Sequence, residues 1–212
     1  MSARRLLLLR HGRTAWNSVG RAQGQADVEL DDLGHQQAAE VASHLATLPP
    51  AALWTSDLAR ARQTCAYLER VTGLAAKTDE RLREFDVGAR QGMTAVDFEA
   101  AFPDAFLAWR AGEEMVGVPG SEVAEDVAAR MVPALHEILS SLEAGETGVV
   151  VTHGAGLKVG LLGLLGWPQS QGAQLRGIGN CAWATVEERA GRLRLEGYNE
   201  RLASAGDGMR DL

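Results

Sequence analysis

Short apolar runs alternate with longer amphipathic stretches along most of this chain. Runs with the length and composition of strands lie at 4–9, 51–55, 74–77, 148–151, 181–186 and 193–197. Most of the stretches between them have the apolar spacing of helices, and this alternation favours a mostly parallel sheet covered on both faces. We therefore predict an α/β fold, a three-layer α/β/α sandwich with a mostly parallel central sheet.

The predicted helices start after capping residues and end at residues that break helices. They cover 33–48, 56–71, 94–110 with a break near Pro103, 121–142 with a kink or break at Pro133, and 157–165. Asp31 or Asp32 would cap the first helix, and Ser56 or Asp57 would cap the second.

The length of 212 residues, without repeats or a linker, predicts one domain over 1–212. Within it we expect a lid of helix and loop around 93–120 and a loose tail after Tyr198. Nearby large side chains would form either an apolar lid over a pocket or part of the core: Trp16, Phe85, Met93, Phe106 and Trp109.

Charge and composition exclude several classes of protein. The net charge of −7 argues against a nucleic-acid partner, which needs a basic surface. No apolar segment is long enough to span a membrane or to act as a secretion signal, so we expect a cytoplasmic protein without a membrane partner. Cys65 and Cys181 have no metal-binding spacing and are predicted to be buried. The oligomeric state stays open, with a homodimer as one option.

Two of the predicted strands end in the same chemistry. Arg10, His11 and Gly12 follow the first strand, and His153 and Gly154 follow the fourth. In parallel sheets ligands bind beyond the carboxyl ends of the strands, so the two imidazoles can meet across one crevice. A glycine after each histidine allows the backbone to approach a ligand closely.

Histidine and arginine at such a crevice suit phosphoryl transfer. Neutral imidazole is a competent nucleophile near neutral pH, which fits His11. Arg10 offers a bidentate donor to phosphoryl oxygens, and Arg60 or Arg62 can add another. Glu84, in a charged loop, can protonate the leaving oxygen, because the charge of a bound phosphate favours a protonated neighbouring carboxyl. The expected partner is a small-molecule phosphate ester.

Six segments in order along the chain resemble a known family. They are Leu9 to Asn17, Arg21 to Gly24 with Leu33 to Ala38, Ser56 to Thr64, Leu82 to Glu84 with Gly88 and Gln91-Gly92, Pro119 to Glu122, and Val151 to Gly154. Together these segments resemble the histidine phosphatase superfamily, also called the phosphoglycerate mutase-like family.

The resemblance implies a role for each matching residue. His11 would be the phosphorylated nucleophile and Glu84 the proton donor. The phosphoryl group would be bound by Arg10, by Arg60 rather than Arg62, and by His153. The remaining substrate-binding positions would be Thr14, Asn17, Gln23, Gly24 and Gly154. No metal and no cofactor are implied.

The function that follows is metal-independent hydrolysis of a phosphomonoester through a phosphohistidine intermediate. The substrate would be a small phosphorylated metabolite, such as a phosphoglycerate derivative or a sugar phosphate. The chain departs from the family at Gly120-Ser121-Glu122-Val123, where the family often has Gly-Gly-Glu-Ser. Compared with the family, the serine hydroxyl of this loop has moved or been lost, so a substrate contact made there in the family is not expected to be the same.

Parts of the sequence suggest three alternative functions. A mutase of the same family is the first, but mutases place extra basic residues after the general-acid segment, and here 91–120 contains only Arg110. A dinucleotide-binding turn at 149–160 has glycines with G-x-G-x-x-x-G spacing and lacks the acidic strand end expected about 20 residues later. A scaffold protein on the same fold is disfavoured because every catalytic position is filled.

Overall fold

The computed structural model describes residues 3–113 and 115–202, and a six-stranded sheet lies at its centre. The strands are β1 (Arg4–Arg10), β2 (Ala52–Thr55), β3 (Ala76–Thr78), β4 (Thr147–Thr152), β5 (Trp183–Arg189) and β6 (Arg192–Glu200). Their order across the sheet is β3-β2-β4-β1-β5-β6. The first four strands in this order are parallel, and β5 and β6 add an antiparallel edge. The predicted α/β fold with its mostly parallel sheet is confirmed.

Seven α-helices surround the sheet or cover its carboxyl edge. They are α1 (Ala15–Ser18), α2 (Asp32–Leu45), α3 (Ala59–Thr72), α4 (Ala95–Ala101), α5 (Pro103–Arg110), α6 (Ala124–Ser140) and α7 (Gly154–Leu164), counted over the described residues. Short 3₁₀ turns lie at Glu80–Leu82, Gly88–Arg90 and Gln169–Gln174. None of the helices in the described ranges is long and apolar enough to cross a bilayer.

The four leucines of β1 show how the layers form. Successive side chains of a strand point to opposite faces of the sheet. Leu6 and Leu8 accordingly pack into the cluster that holds the inner faces of α6 and α7, and Leu7 and Leu9 pack into the cluster that holds α2 and α3. A buried run without polar alternation is therefore the expected pattern for a strand covered on both sides.

A third apolar cluster lies outside these two layers. It contains Phe98 of α4, with Phe106 and Trp109 of α5 packed against it, together with residues of the loop after Glu84 and of α6 and α7. Phe98 meets Phe106 and Trp109 edge to face, with centroid distances of 6.0 and 6.2 Å. This cluster holds α4 and α5 against the rest of the molecule.

Several predicted boundaries differ from the structure. Pro133 does not interrupt α6, which runs through it as one helix. Asp31, not Asp32, caps α2 by accepting a hydrogen bond from Gly34 N at 2.8 Å. The predicted tail after Tyr198 is wrong for its first residues, because β6 pairs with β5 as far as Glu200. The remainder of that tail, 203–212, lies outside the described residues.

The predicted cap of the helix after β2 is also wrong. The N-cap of α3 is Leu58, which makes no side-chain cap bond, and the helix begins at Ala59. The side chains of Ser56 and Asp57 instead make hydrogen bonds with distant residues: Ser56 with His153, and Asp57 with Arg83. Polar residues before a helix pattern usually cap it, but here tertiary partners compete for them.

Sheet register brings the two His-Gly pairs together. Arg10 and Thr152 are register partners at the ends of β1 and β4, and His11 N donates to Thr152 O at 3.0 Å. His11 and His153 therefore follow neighbouring parallel strands at the same edge of the sheet. Their ring centroids lie 5.2 Å apart.

Candidate active site

A cavity of about 240 Å³ lies at this carboxyl edge of the sheet. Its lining joins the end of β1, α1 and the loop after it, the start of α3, the loop after β3, α5 and the loop after it, and the start of α7. The lining residues are Arg10, His11, Asn17, Arg21, Ala22, Gln23, Gly24, Arg60, Glu84, Phe85, Val87, Arg90, Trp109, Met115 and Ala155.

A hydrogen bond to the backbone fixes which ring nitrogen of His11 carries the proton. The side chain is buried, and its Nδ1 lies 2.7 Å from Gly12 O. Because a carbonyl oxygen only accepts, Nδ1 must carry the proton, which leaves the lone pair of the ring on Nε2. Burial, then the charges of Arg60 and Arg10, hold the pKa of His11 well below its usual range. The imidazole is therefore neutral at physiological pH.

Arg60 joins the two imidazoles. Its Nε lies 3.2 Å from both His11 Nε2 and His153 Nδ1, and donates to both. Nη1 and Nη2 donate to the carbonyls of Ala26 and Gly24, each at 2.7 Å. Burial lowers the pKa of Arg60 to about 10, so it remains a cation at neutral pH. The guanidinium thus places a positive charge directly beside His11 Nε2.

His153 is fixed on both sides of its ring. Nδ1 accepts from Arg60, so Nε2 carries the proton and donates to Ser56 Oγ at 2.9 Å. Burial, followed by the charge of Arg60, holds the pKa of His153 well below its usual range. His153 does not line the cavity, whereas His11 does, so His11 is the imidazole that can present its lone pair to a ligand.

Arg10 has a buried donor without a protein partner in the described chain. Its Nη1 donates to Ile178 O at 2.6 Å, but its Nε is buried and bonds to none of the described residues. A buried unpaired donor is costly unless a ligand or water takes it up. Burial lowers the pKa of Arg10, and the charge of Glu84 opposes that shift. This donor therefore points to an anion beside His11.

Glu84 is held by backbone N–H groups at the start of α7. Oε1 accepts from Gly156 N at 2.6 Å and from Phe85 N at 3.0 Å, and Oε2 accepts from Ala155 N at 3.1 Å. The first turn of a helix presents such unpaired donors to an acidic group. The carboxyl group lines the cavity in a fixed orientation, as a group that exchanges a proton with substrate must.

The charged neighbours of Glu84 have partners of their own. Arg81 binds Asp79 and Glu137, and Arg83 binds Asp57. Neither arginine pairs with Glu84 in the described structure. Glu84 is therefore not the surface carboxylate of a salt-bridge cluster that a charged loop would suggest.

The loop after His11 supplies an amide at the cavity. Thr14 caps α1 and is completely buried, with its Oγ1 bonded to Asn17 and Gln23. Asn17 Oδ1 is occupied by Thr14 N at 3.1 Å and by Asn180 Nδ2 at 3.3 Å. The NH₂ group of Asn17 is therefore the part that can donate to a ligand. Thr14 itself does not line the cavity.

The glycines at the site permit close backbone packing. A Cβ on Gly12 would lie 2.5 Å from Gly34 O, and a Cβ on Gly154 would lie 3.3 Å from Arg10 Nε. Gly24 lines the cavity with a left-handed φ of 54°, and a Cβ there would clash with Val87. A glycine is thus needed at position 12 because the backbone there packs closely against α2. At position 154 a glycine leaves room for the guanidinium of Arg10, and Gly154 itself does not line the cavity.

The loop at 120–123, where the sequence departs from the family, contributes to the site indirectly. Ser121 Oγ donates to Val118 O at 2.8 Å, within its own loop, and does not line the cavity. Glu122 binds Arg130, whose Nη2 also donates to Glu84 O at 2.9 Å. Burial acts to raise the pKa of Glu122, but the hydrogen bonds from Arg130 and Asp86 N lower it overall. The loop therefore positions the backbone that carries Glu84.

Sequence reasoning missed several groups at the site. Asn180 Nδ2 donates to His11 O at 3.1 Å, and Cys181, with a left-handed φ of 52°, directs its N–H to the carbonyls of Arg10 and His11. The basic residues Arg21 and Arg90 line the cavity. A non-glycine residue with positive φ often marks a functional turn, but no local pattern in the sequence indicates it.

Arg60 and Arg62 make a matched pair for a test. Arg60 is buried at the cavity and Arg62 is exposed. We expect Arg60→Ala to lose about 3–5 kcal/mol of transition-state stabilisation in kcat/KM, because a charged donor beside the nucleophile disappears. Arg62→Ala is expected to cost less than about 0.5 kcal/mol. Steady-state kinetics on one ester, with thermal unfolding of each variant, measures both; equal losses would remove Arg60 from the phosphate site.

Among the described residues, no group of three or more His, Cys, Asp or Glu side chains is placed to hold a metal ion.

Comparison with known proteins gives consistent matches over nearly the whole chain. The sequence model of the family described as "Histidine phosphatase superfamily (branch 1)" matches residues 6–201. A glucosyl-3-phosphoglycerate phosphatase of Mycolicibacterium vanbaalenii is 39% identical over 204 residues, which are 93% of this chain and 88% of the relative. A probable phosphoglycerate mutase of Yersinia pestis is 33% identical over 204 residues, 94% of this chain and 91% of the relative.

A solved structure agrees with the sequence matches. The mycobacterial glucosyl-3-phosphoglycerate phosphatase in complex with VO3 superposes with a TM-score of 0.86 at 39% identity, covering 92% of this chain and 98% of that one. In the sequence, Arg21 to Gln25 and Ser56 to Leu58 carry a resemblance to the actinobacterial enzymes of this name. That resemblance is confirmed.

Proposed function

This chain belongs to the histidine phosphatase superfamily, branch 1, and we propose that the phosphate ester it hydrolyses is glucosyl-3-phosphoglycerate or a close derivative of phosphoglycerate. The chain is a phosphatase, and enzymes of this family act through a phosphohistidine. The observation that carries the assignment of the nucleophile is the bond from His11 Nδ1 to Gly12 O, which leaves the lone pair of this cavity-lining imidazole on Nε2.

The first chemical step transfers the phosphoryl group to His11. Nε2 attacks phosphorus as the bond from phosphorus to the ester oxygen breaks, and Glu84 gives its proton to the leaving oxygen. The equatorial oxygens of the phosphoryl group accept hydrogen bonds from three donors: Arg10 Nε, Arg60 Nε and the NH₂ group of Asn17. Without a ligand, Arg10 Nε has no partner among the described residues, and Arg60 Nε bridges the two imidazoles. These fixed donors stabilise the charge of the transition state without reorganisation.

The second step releases phosphate. Water enters after the alcohol has left, and the Glu84 carboxylate takes one of its protons as the oxygen attacks phosphorus. The phosphorus–nitrogen bond breaks, its electron pair returns to His11 Nε2, and inorganic phosphate leaves. Glu84 is then protonated again and His11 neutral, so the cycle is closed. His153, fixed between Arg60 and Ser56, orients Arg60 beside the nucleophile.

The substrate proposal rests on the phosphatases that this chain resembles. They match at 39–40% identity, against 33% for the probable mutases, so the mutase alternative is the weaker one. Glucosyl-3-phosphoglycerate combines a phosphate ester with a carboxylate and a sugar. A cavity whose polar end is the arginine and histidine cluster, and whose wall includes Trp109 and Met115, can accommodate these groups.

We further propose that the segment 93–120 acts as a lid and that the chain 1–212 works as one domain in the cytoplasm. Trp109 of α5 and Met115 reach the cavity from this segment. Cys65 and Cys181 are free and buried, which suits a reducing compartment.

A substrate panel tests the proposed function. Phosphate release is measured from glucosyl-3-phosphoglycerate, 3-phosphoglycerate, glucose 6-phosphate and AMP, each with and without a metal chelator. We expect the highest kcat/KM for glucosyl-3-phosphoglycerate, unchanged by the chelator. Conversion of 3-phosphoglycerate to its 2-phospho isomer faster than phosphate release would identify a mutase instead.

A further inference from the structure

The segment Leu33 to Ala38, in the first turns of α2, takes no part in the two chemical steps, although it lies against the loop after β1. A Cβ on Gly12 would lie 2.5 Å from Gly34 O, and a Cβ on Gly34 would overlap Arg13 O. The loop backbone and the helix therefore meet with no side chain between them. Gln37 follows Gly34 by three positions on the same face of the helix, which brings its side chain to this backbone.

One peptide unit joins Gln37 to the nucleophile. Arg13 N donates to Gln37 Oε1 at 2.9 Å, and Gly12 O, the carbonyl of the same peptide unit, accepts from His11 Nδ1 at 2.7 Å. The N–H and C=O of a trans peptide point in opposite directions, so Gln37 and His11 lie at its two ends. Hydrogen bonds linked in this way polarise one another. Gln37 therefore strengthens the acceptor that keeps the proton of His11 on Nδ1.

The N–H of Gly12 is held by a second helix. Gly12 N donates to Thr64 Oγ1 at 3.0 Å, and this hydroxyl donates its own proton to Arg60 O at 2.8 Å. Because a hydroxyl carries one proton, the Thr64 oxygen acts only as an acceptor toward Gly12. Thr64 is completely buried in α3. Gly12 is thus fixed between α2 and α3, which keeps its carbonyl directed at the ring of His11.

The charge of the His11 ring changes during phosphoryl transfer. As Nε2 forms its bond to phosphorus and the ester bond breaks, the proton stays on Nδ1 and the ring gains positive charge. The bond from Nδ1–H to Gly12 O then has a charged donor, and such bonds are stronger than bonds between neutral groups. An interaction that strengthens toward the transition state raises kcat, whereas one of constant strength affects only KM. A more strongly accepting Gly12 carbonyl therefore favours phosphorylation of His11.

We propose that Gln37 is a positioning residue for the nucleophile: through the Arg13 N–H it orients and polarises the Gly12 carbonyl, which stabilises the charge that His11 gains on phosphorylation. Thr64 fixes the same glycine from the other side. Neither Gln37 nor Thr64 lines the cavity, so both act through the backbone and not on the substrate. This inference rests on the proposed function, since the charge arises when the phosphohistidine forms.

Steady-state kinetics of three glutamine variants gives the first test. Gln37→Leu leaves the Arg13 N–H without its acceptor, and we expect kcat for one phosphate ester to fall about 10-fold while KM changes less than about 2-fold. Gln37→Glu keeps an oxygen acceptor and should retain at least about a third of kcat. Gln36→Leu, at the exposed neighbouring glutamine of α2, is the matched control and should leave kcat unchanged.

¹⁵N NMR of the His11 ring gives a readout that a merely structural role would not move. In histidine-labelled wild type at neutral pH we expect a protonated Nδ1 and an unprotonated Nε2, with His11→Ala identifying the signals. Gln37→Leu should move the Nδ1 proton upfield, because its hydrogen bond weakens. Gln37→Glu should move it downfield, because the negative charge polarises the peptide further. Gln36→Leu should leave it in place.

The outcomes separate this inference from the proposed function. Unchanged kcat in Gln37→Leu, or a loss of kcat with an unmoved Nδ1 proton, would overturn the positioning role. If Gln37→Leu does not fold, Thr64→Val must move this proton upfield and Gln37→Glu must move it downfield; a proton unmoved in either variant would overturn it equally. A wild-type protein that hydrolyses no phosphate ester, p-nitrophenyl phosphate included, would refute the phosphatase function as well.

Discussion

His11→Ala is expected to abolish turnover of every phosphate ester while the protein still folds. The loss should be at least about 10⁴-fold in kcat, since removal of a covalent nucleophile costs that much or more in comparable enzymes. No neighbouring group can replace it. His153 does not line the cavity, and its ring is fixed between Arg60 and Ser56. Phosphate release in a steady-state assay, with circular dichroism and thermal unfolding as the test of folding, measures this outcome.

Trapping of the intermediate complements the variant. Brief reaction with labelled substrate followed by quenching in alkali should leave acid-labile phosphate on wild-type protein, located at His11 by peptide mass spectrometry. The His11→Ala protein should carry none, and Arg62→Ala should be labelled like the wild type. Full activity in His11→Ala, or label on a residue other than His11, would contradict the mechanism.

Glu84→Gln is expected to separate substrates by their leaving groups. Esters of sugar alcohols need a proton on the departing oxygen, so their kcat should fall about 10²–10⁴-fold. p-Nitrophenyl phosphate has a leaving group that needs no proton and should lose less than about 10-fold. A small common loss is expected, because a glutamine has one acceptor oxygen where the carboxylate now accepts from three backbone N–H groups.

The two rate ratios distinguish three roles for this residue. A loss confined to the alkyl ester identifies Glu84 as the general acid. Almost no loss on either ester would identify a carboxylate without a chemical role, as expected for an exposed group. A large and equal loss on both would assign it to positioning α7 and the cavity wall. Glu84→Asp, which keeps the carboxyl but shortens its reach, is the control for geometry.

Much of this protein follows from local sequence pattern. The leucine run of β1 and the valine run of β4 predict buried strands, and each strand ends where a His-Gly pair follows. Strand burial and helix spacing are set by neighbouring residues, so they can be seen without the fold. The parallel sheet then requires that His11 and His153 share one edge. The choice of Arg60 over Arg62 came from the family resemblance, because the local pattern leaves both arginines open.

Other features needed the tertiary structure, because they depend on contacts between distant segments. The tautomer of His11 follows from a hydrogen bond, and the engagement of His153 follows from Arg60 and Ser56. Ser56 looked like a helix cap in the sequence, but its partner lies 97 positions away. Arg90 lies just before the segment 91–120, and its packing against α4 and α5 at the cavity is visible only in the tertiary structure. Local pattern determines which elements form and where they end, whereas strand order and register decide which side chains meet.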